Sequence, residues 1–114
     1  MFKTLVFGAL AAGFAARAMA ADAASPGAVT IQIHGMKFDP PIVTIAPGTK
    51  VTWVNEDSSP HTVADKGKVF RSAALDVKDS FSYTFAAPGE FTYFCTLHPM
   101  MVGKIVVKPP GKSS

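Results

Sequence analysis

Residues 81–95 read FSYTFAAPGEFTYFC, and their period of two leaves little room for a helix. Successive side chains of an extended strand point to opposite faces. Phe81, Tyr83 and Phe85 therefore share one side, with Ser82 and Thr84 on the other. Pro88-Gly89 then makes a tight turn, the proline ring fixing φ and the glycine tolerating positive φ. The same pattern recurs upstream. Val29, Ile31 and Ile33 alternate with Thr30 and Gln32, and residues 42–46 and 50–55 read as strands on either side of a second Pro-Gly turn. Val51 and Trp53 share a face, and residues 103–108 form the last strand. Residues 56–79 are the least regular, with Val63 and Val69–Phe70 as candidate short strands. No helical period follows residue 20. Seven to eight short strands with Pro-Gly turns predict an all-β sandwich or barrel of one domain.

The first twenty residues stand apart. Lys3, the apolar run Leu5–Ala16 and the small residues Ala18 and Ala20 have the layout of a cleaved secretory signal peptide. The run is shorter than the roughly 20 apolar residues of a membrane helix, so no stable membrane insertion is expected. The expected plan is a signal peptide over 1–20, a flexible leader over 21–28, a folded domain over 29–108 and a flexible tail over 109–114. Lys3 and Arg17 leave with the signal, which turns a chain of +3 into one with nine basic and eight acidic residues. No Lys/Arg cluster remains to make a nucleic-acid footprint. Export, with the periplasm as the expected location, places the protein where cysteines come in pairs. This chain has one, Cys95.

Residues 94–101, FCTLHPMM, suggest why. Cys95, His98 and Met101, with Met100 beside the last, crowd one short connection between the strand ending at Cys95 and the strand beginning at Gly103. A fourth donor must come from elsewhere, and only two other histidines exist. His61 follows NEDSSP at the end of the third strand, where sandwich loops gather at one pole; His34, at the end of the first, is the weaker candidate. Each residue alone has an ordinary explanation, Cys95 as a buried core thiol among them. Together they form a selective set. Thiolate and thioether are soft ligands, thioether favours copper, and two His with one Cys plus a weak axial Met is the blue-copper electron-transfer arrangement. A metal-bound thiolate needs no disulfide partner.

With those residues in view, the chain resembles a cupredoxin, and more narrowly the amicyanin branch. MKFDP, APGTKVTWVN, SPH, SYTFAAPGEFTYFC and CTLHPMMVGKIVV follow one another in that family's order. The most specific piece is CTLHPMMVGK, whose two-residue gaps from Cys95 to His98 and from His98 to Met101 are similar to the short amicyanin loop. The resemblance implies a cupredoxin-like Greek-key β-sandwich holding one type 1 copper through His61, Cys95, His98 and Met101. It favours Met101 over Met100, which falls where amicyanins carry a large apolar residue. It also implies that Asn55 helps tie the ligand loops together. Thr62 departs from the pattern, standing where Asn is common. Its backbone N–H can still reach the Cys95 sulfur, but an altered side-chain link between the loops is expected.

The expected function is that of a monomeric, soluble one-electron carrier cycling between Cu(I) and Cu(II), and not an enzyme. HExxH, P-loop and GxSxG motifs are absent from the sequence, and three histidines are too few for a second copper cluster. Partners are expected to be transient redox proteins; the resemblance implies a dehydrogenase donor and a c-type cytochrome acceptor. Leu97, Pro99 and Met100, with Pro60 close by, are expected to form an apolar collar around the edge of His98. The competing function is copper storage, scavenging or delivery.

Overall fold

A computed structural model describes residues 27–109. The expected signal peptide and nearly all of the expected leader and tail lie outside the described residues. Eight strands run in order: β1 (Ala28–His34), β2 (Lys37–Asp39), β3 (Ile42–Ile45), β4 (Thr49–Asn55), β5 (Ala64–Asp65), β6 (Ser80–Phe85), β7 (Gly89–Cys95) and β8 (His98–Val107). They form two four-stranded sheets, β2-β1-β4-β6 and β3-β8-β7-β5, and no helix occurs among the described residues. This is the all-β sandwich that the alternating residues predict. The Pro88-Gly89 segment does not close a hairpin: β6 and β7, on either side of it, belong to opposite sheets.

Neighbours in sequence are often not neighbours in the sheets. β1 runs parallel to β4, with Ile31 opposite Trp53, and β3 runs parallel to β8, with Val43 opposite Ile105. Such pairings leave no local mark on the sequence. β2 is also new, a three-residue strand pairing Phe38 with Ile33. It buries Phe38 against Tyr93, ring centroids 4.7 Å apart and edge to face.

The inward residues are the ones the alternation selects. Ile31, Ile33, Val51, Trp53, Tyr93 and Ile105 are fully buried between the sheets. Each such side chain removed from water contributes about 1.5–3 kcal/mol. Residues 69–70 are not a strand. Val69 is exposed, while Phe70 drops from the irregular segment into the core, 5.7 Å from Trp53 and 5.4 Å from Phe85 between ring centroids. That segment is held by Asp65 N–H donating to Phe70 O and Ser72 N–H to Val63 O, the bonds of a single antiparallel bridge between Ala64 and Arg71.

Gly103 marks the tightest contact. It sits opposite Tyr93 in the β7–β8 ladder, and a Cβ there lies 2.3 Å from the Tyr93 hydroxyl oxygen. The ring occupies the space that any other residue needs. Gly103→Ala is expected to lower stability by about 1–3 kcal/mol through overpacking. Urea unfolding should show an earlier midpoint at unchanged slope; an unchanged midpoint contradicts this packing.

Candidate metal centre

The strand ending at Cys95 and the one following it are joined by only Thr96 and Leu97. Tyr93 pairs with Gly103 and Phe94 with Val102, but the next residue, Cys95, pairs with His98. Three residues, Pro99 to Met101, are therefore surplus on β8 and bow out of the ladder. The sequence reading placed the second strand from Gly103, with a loop before it. In the structure the strand begins at His98 and the ligand segment is a wide bulge within it. Bulges of this kind re-aim side chains at sheet rims. Here the bulge brings His98 back beside Cys95, with His98 Nδ1 3.7 Å from Cys95 Sγ.

His61 arrives from the other direction and is fully buried. Its backbone exchanges both hydrogen bonds with Leu75, at 3.1 and 2.7 Å. Asn55, also fully buried, braces the preceding loop. Its side-chain amide donates to Ser59 O and Leu75 O, and its carbonyl oxygen accepts from Asp57 N–H. Asn55 thus holds the His61 loop to its neighbour at Leu75, not to the Cys95 loop as the resemblance implied. Asp57 completes the arrangement, and the sequence reading overlooked it. Its carboxylate accepts from His61 Nε2–H at 2.9 Å and from Gly35 and Met36 N–H at 2.8 and 3.1 Å. With Nε2 turned to Asp57, Nδ1 is the His61 ring nitrogen that faces Cys95 Sγ, 3.7 Å away. A carboxylate behind a metal-binding imidazole fixes tautomer and ring orientation in this way. Its only sequence signal is an acid four residues before the histidine. Partial burial pushes the Asp57 carboxyl up, but the Met36, Gly35 and His61 donors outweigh it and hold the group below its ordinary value.

Thr62 links the two halves. Its N–H donates to Cys95 Sγ at 3.3 Å, as expected. Its hydroxyl pairs with Thr96 Oγ1 at 2.8 Å and accepts from Thr96 N–H at 2.7 Å. The side-chain bridge between the loops therefore persists, built from two threonines. Burial pushes the Cys95 thiol up, but the Thr62 N–H, His61, His98 and the Leu97 N–H overcome this and bring it down to about 6.

The three donor atoms of His61, Cys95 and His98 all lie within 4.8 Å of one another. Metal–ligand bonds of roughly 2.0–2.3 Å put trigonally arranged donors about 3.7 Å apart, the separation found from each imidazole to the sulfur. One thiolate with two imidazoles also matches the chemistry of a copper site. Residues 26–108 match the family of copper binding proteins of the plastocyanin/azurin type. The chain is a cupredoxin. It is 38% identical to amicyanin-alpha of Methylorubrum extorquens, over 93% of this chain and 99% of the relative. It is 36% identical to amicyanin of Paracoccus denitrificans, over 78% and 72% respectively. The crystal structure of amicyanin from Paracoccus versutus matches with a TM-score of 0.66 at 40% identity, over 71% of this chain and 81% of that one. A copper-containing nitrite reductase from Thermus scotoductus matches at a TM-score of 0.68 and 33% identity, but over only 22% of its length. This cupredoxin is amicyanin-like, and its cofactor is one type 1 copper.

The remaining candidates differ in burial and position. Met101 is buried and lines a cavity beside His98, whereas Met100 is 94% exposed. His34 is outside the cluster, exposed, with Nε2 3.0 Å from the Asp39 carboxylate.

The depressed thiol makes a pH-dependent expectation. Cys95 sits below the ordinary value of 9.0 in the folded, metal-free chain. Its stabilising contribution is therefore complete above that ordinary value and is lost as pH falls through about 6. Ultraviolet thiolate absorbance of the metal-free protein should titrate with a midpoint near 6. A midpoint near 9 contradicts the hydrogen bonds assigned to the sulfur.

Proposed function

We propose that this cupredoxin is a one-electron carrier between transient redox partners outside the cytoplasm, with copper held by His61, Cys95, His98 and Met101. The observation that carries the reading is the unequal burial of the three converging donors. His61 and Cys95 are fully buried, while His98 is only half-buried. Copper, when bound, supplies a centre that exchanges one electron by passing between Cu(I) and Cu(II). The chain's residues do the rest. Asp57 keeps His61 in one tautomer, Thr62 N–H steadies the thiolate charge, and buried Met101 offers a weak thioether.

His98 lines a cavity of about 450 Å³ together with Leu97, Pro99 and Met100, so its ring is the electron's route to the surface. Leu97 and Met100 are exposed, which suits brief docking over less than roughly 1,200 Å² of buried area. Met36 completes this collar, and Pro60 does not line it. We take the donor to be a dehydrogenase, the acceptor a c-type cytochrome and the location the periplasm. The amicyanin-like sequence and the signal-like segment over residues 1–20 support these assignments. The protein works as a monomer and catalyses no reaction of its own; three histidines are too few for a second copper cluster.

Titration of the chain with Cu(II), beside a Cys95→Ala variant, tests this reading. An intense visible thiolate-to-copper band that saturates at one copper per chain is expected, and it should vanish in the variant. No band in either protein overturns the reading. A band that forms but is lost quickly to a competing chelator supports copper delivery instead.

A further inference from the structure

The chain has five methionines, and two of them, Met1 and Met19, precede residue 20. The other three, Met36, Met100 and Met101, all line the same two adjoining cavities beside the metal centre. One cavity, of about 490 Å³, is lined by His34 and these three methionines among others. The other, of about 450 Å³, adds His98.

Packing accounts for Met101, which is 6% exposed, but not for its companions. Met100 is 94% exposed and gains almost nothing from leaving water, and Met36, 42% exposed, is only partly packed. Met36 also sits at φ 62°, a region that residues other than glycine seldom occupy. The two-residue β1–β2 turn requires this, with Gly35 at φ 61° beside it, and Asp57 holds the turn by accepting the Gly35 and Met36 N–H groups. The carboxylate that orients His61 thus also fixes the backbone that presents the Met36 thioether. His34 carries a similar device. The Asp39 carboxylate takes its Nε2–H at 3.0 Å, which leaves Nδ1 as a free donor.

We propose that His34, Met36 and Met100 form a second, labile Cu(I)-binding site at the mouth of the metal centre. Two thioethers are soft donors that suit Cu(I), and imidazole is a ligand that copper also accepts. With no thiolate among them, the site holds copper more weakly than the Cys95 cluster. His98, a donor of the Cys95 cluster, lines one of these cavities with Met36 and Met100, so the two sets of donors adjoin. Copper therefore enters by ligand exchange, staying Cu(I) throughout with no electron moved. Binding at the mouth is independent of the carrier function proposed above; only the entry role rests on it.

The test is an anaerobic Cu(I) titration of the full chain against a chromogenic Cu(I) chelator, beside a Met36→Leu/Met100→Leu variant. Leucine keeps the apolar bulk and removes the donor. The wild type is expected to take two Cu(I) per chain, the second weaker, and the variant only one. Methionine methyl NMR of the wild type should show the second equivalent shifting Met36 and Met100. That spectrum decides the matter even if the variant fails to fold, and a preserved Cu(II) visible band shows that it has folded. A wild type that binds one Cu(I), or a second equivalent that survives in the variant or shifts neither methyl, overturns the proposal. The last two outcomes would leave the collar as a docking surface alone. Absence of the Cu(II) band from the wild type, with the second Cu(I) still bound through Met36 and Met100, sinks the carrier reading and spares this one.

Discussion

A thiolate with no access to water has to be compensated, and this structure is organised around that requirement. Burying an isolated charge is prohibitively unfavourable unless hydrogen-bond donors or a metal face it. Cys95 is fully buried, yet its thiol is pulled down to about 6. The compensation comes from far along the chain. Thr62, with its N–H 3.3 Å from the sulfur, and His61 both lie more than thirty residues before Cys95. Metal-free, the site is a thiolate faced by hydrogen-bond donors; a cationic metal would complete the compensation.

The two sheets and the bulge divide the work. The sandwich, filled by Trp53, Tyr93 and Ile105, fixes where β4 and β7 end. Asn55 and Asp57 convert the end of β4 into a rigid mount for His61. The surplus of Pro99 to Met101 on β8 turns His98 back toward the sulfur while leaving its ring half-buried. A donor set held in place before metal binds needs little rearrangement when the metal changes charge. Small reorganisation is what fast electron exchange asks for.

Much of the architecture was legible in the chain because strand alternation writes burial directly into residue order, as at Val51 and Trp53. The convergence of His61, Cys95 and His98 was legible for a different reason: soft and nitrogen donors at strand ends in an all-β chain with a single cysteine have few other uses. Long-range geometry was not. Nothing local marks the parallel pairing of β1 with β4, the short strand at Lys37–Asp39, or the bulge that makes a strand of residues 98–102. Asp57 was missed because an acid in a polar loop looks solvated until its three partners are seen. Met36 escaped notice for a similar reason, since only the fold brings it to Met100. Thr62 marked an altered link, and Thr96, an unremarked neighbour, supplies its other half.

The central claim is that these residues form a preorganised site that passes single electrons without releasing its metal. Cyclic voltammetry of the copper-loaded protein tests it most directly. A reversible one-electron wave, stable over repeated cycles with copper content unchanged, is expected. An irreversible wave, or copper lost each time the site is reduced, contradicts the claim and makes the protein one that hands on copper rather than electrons.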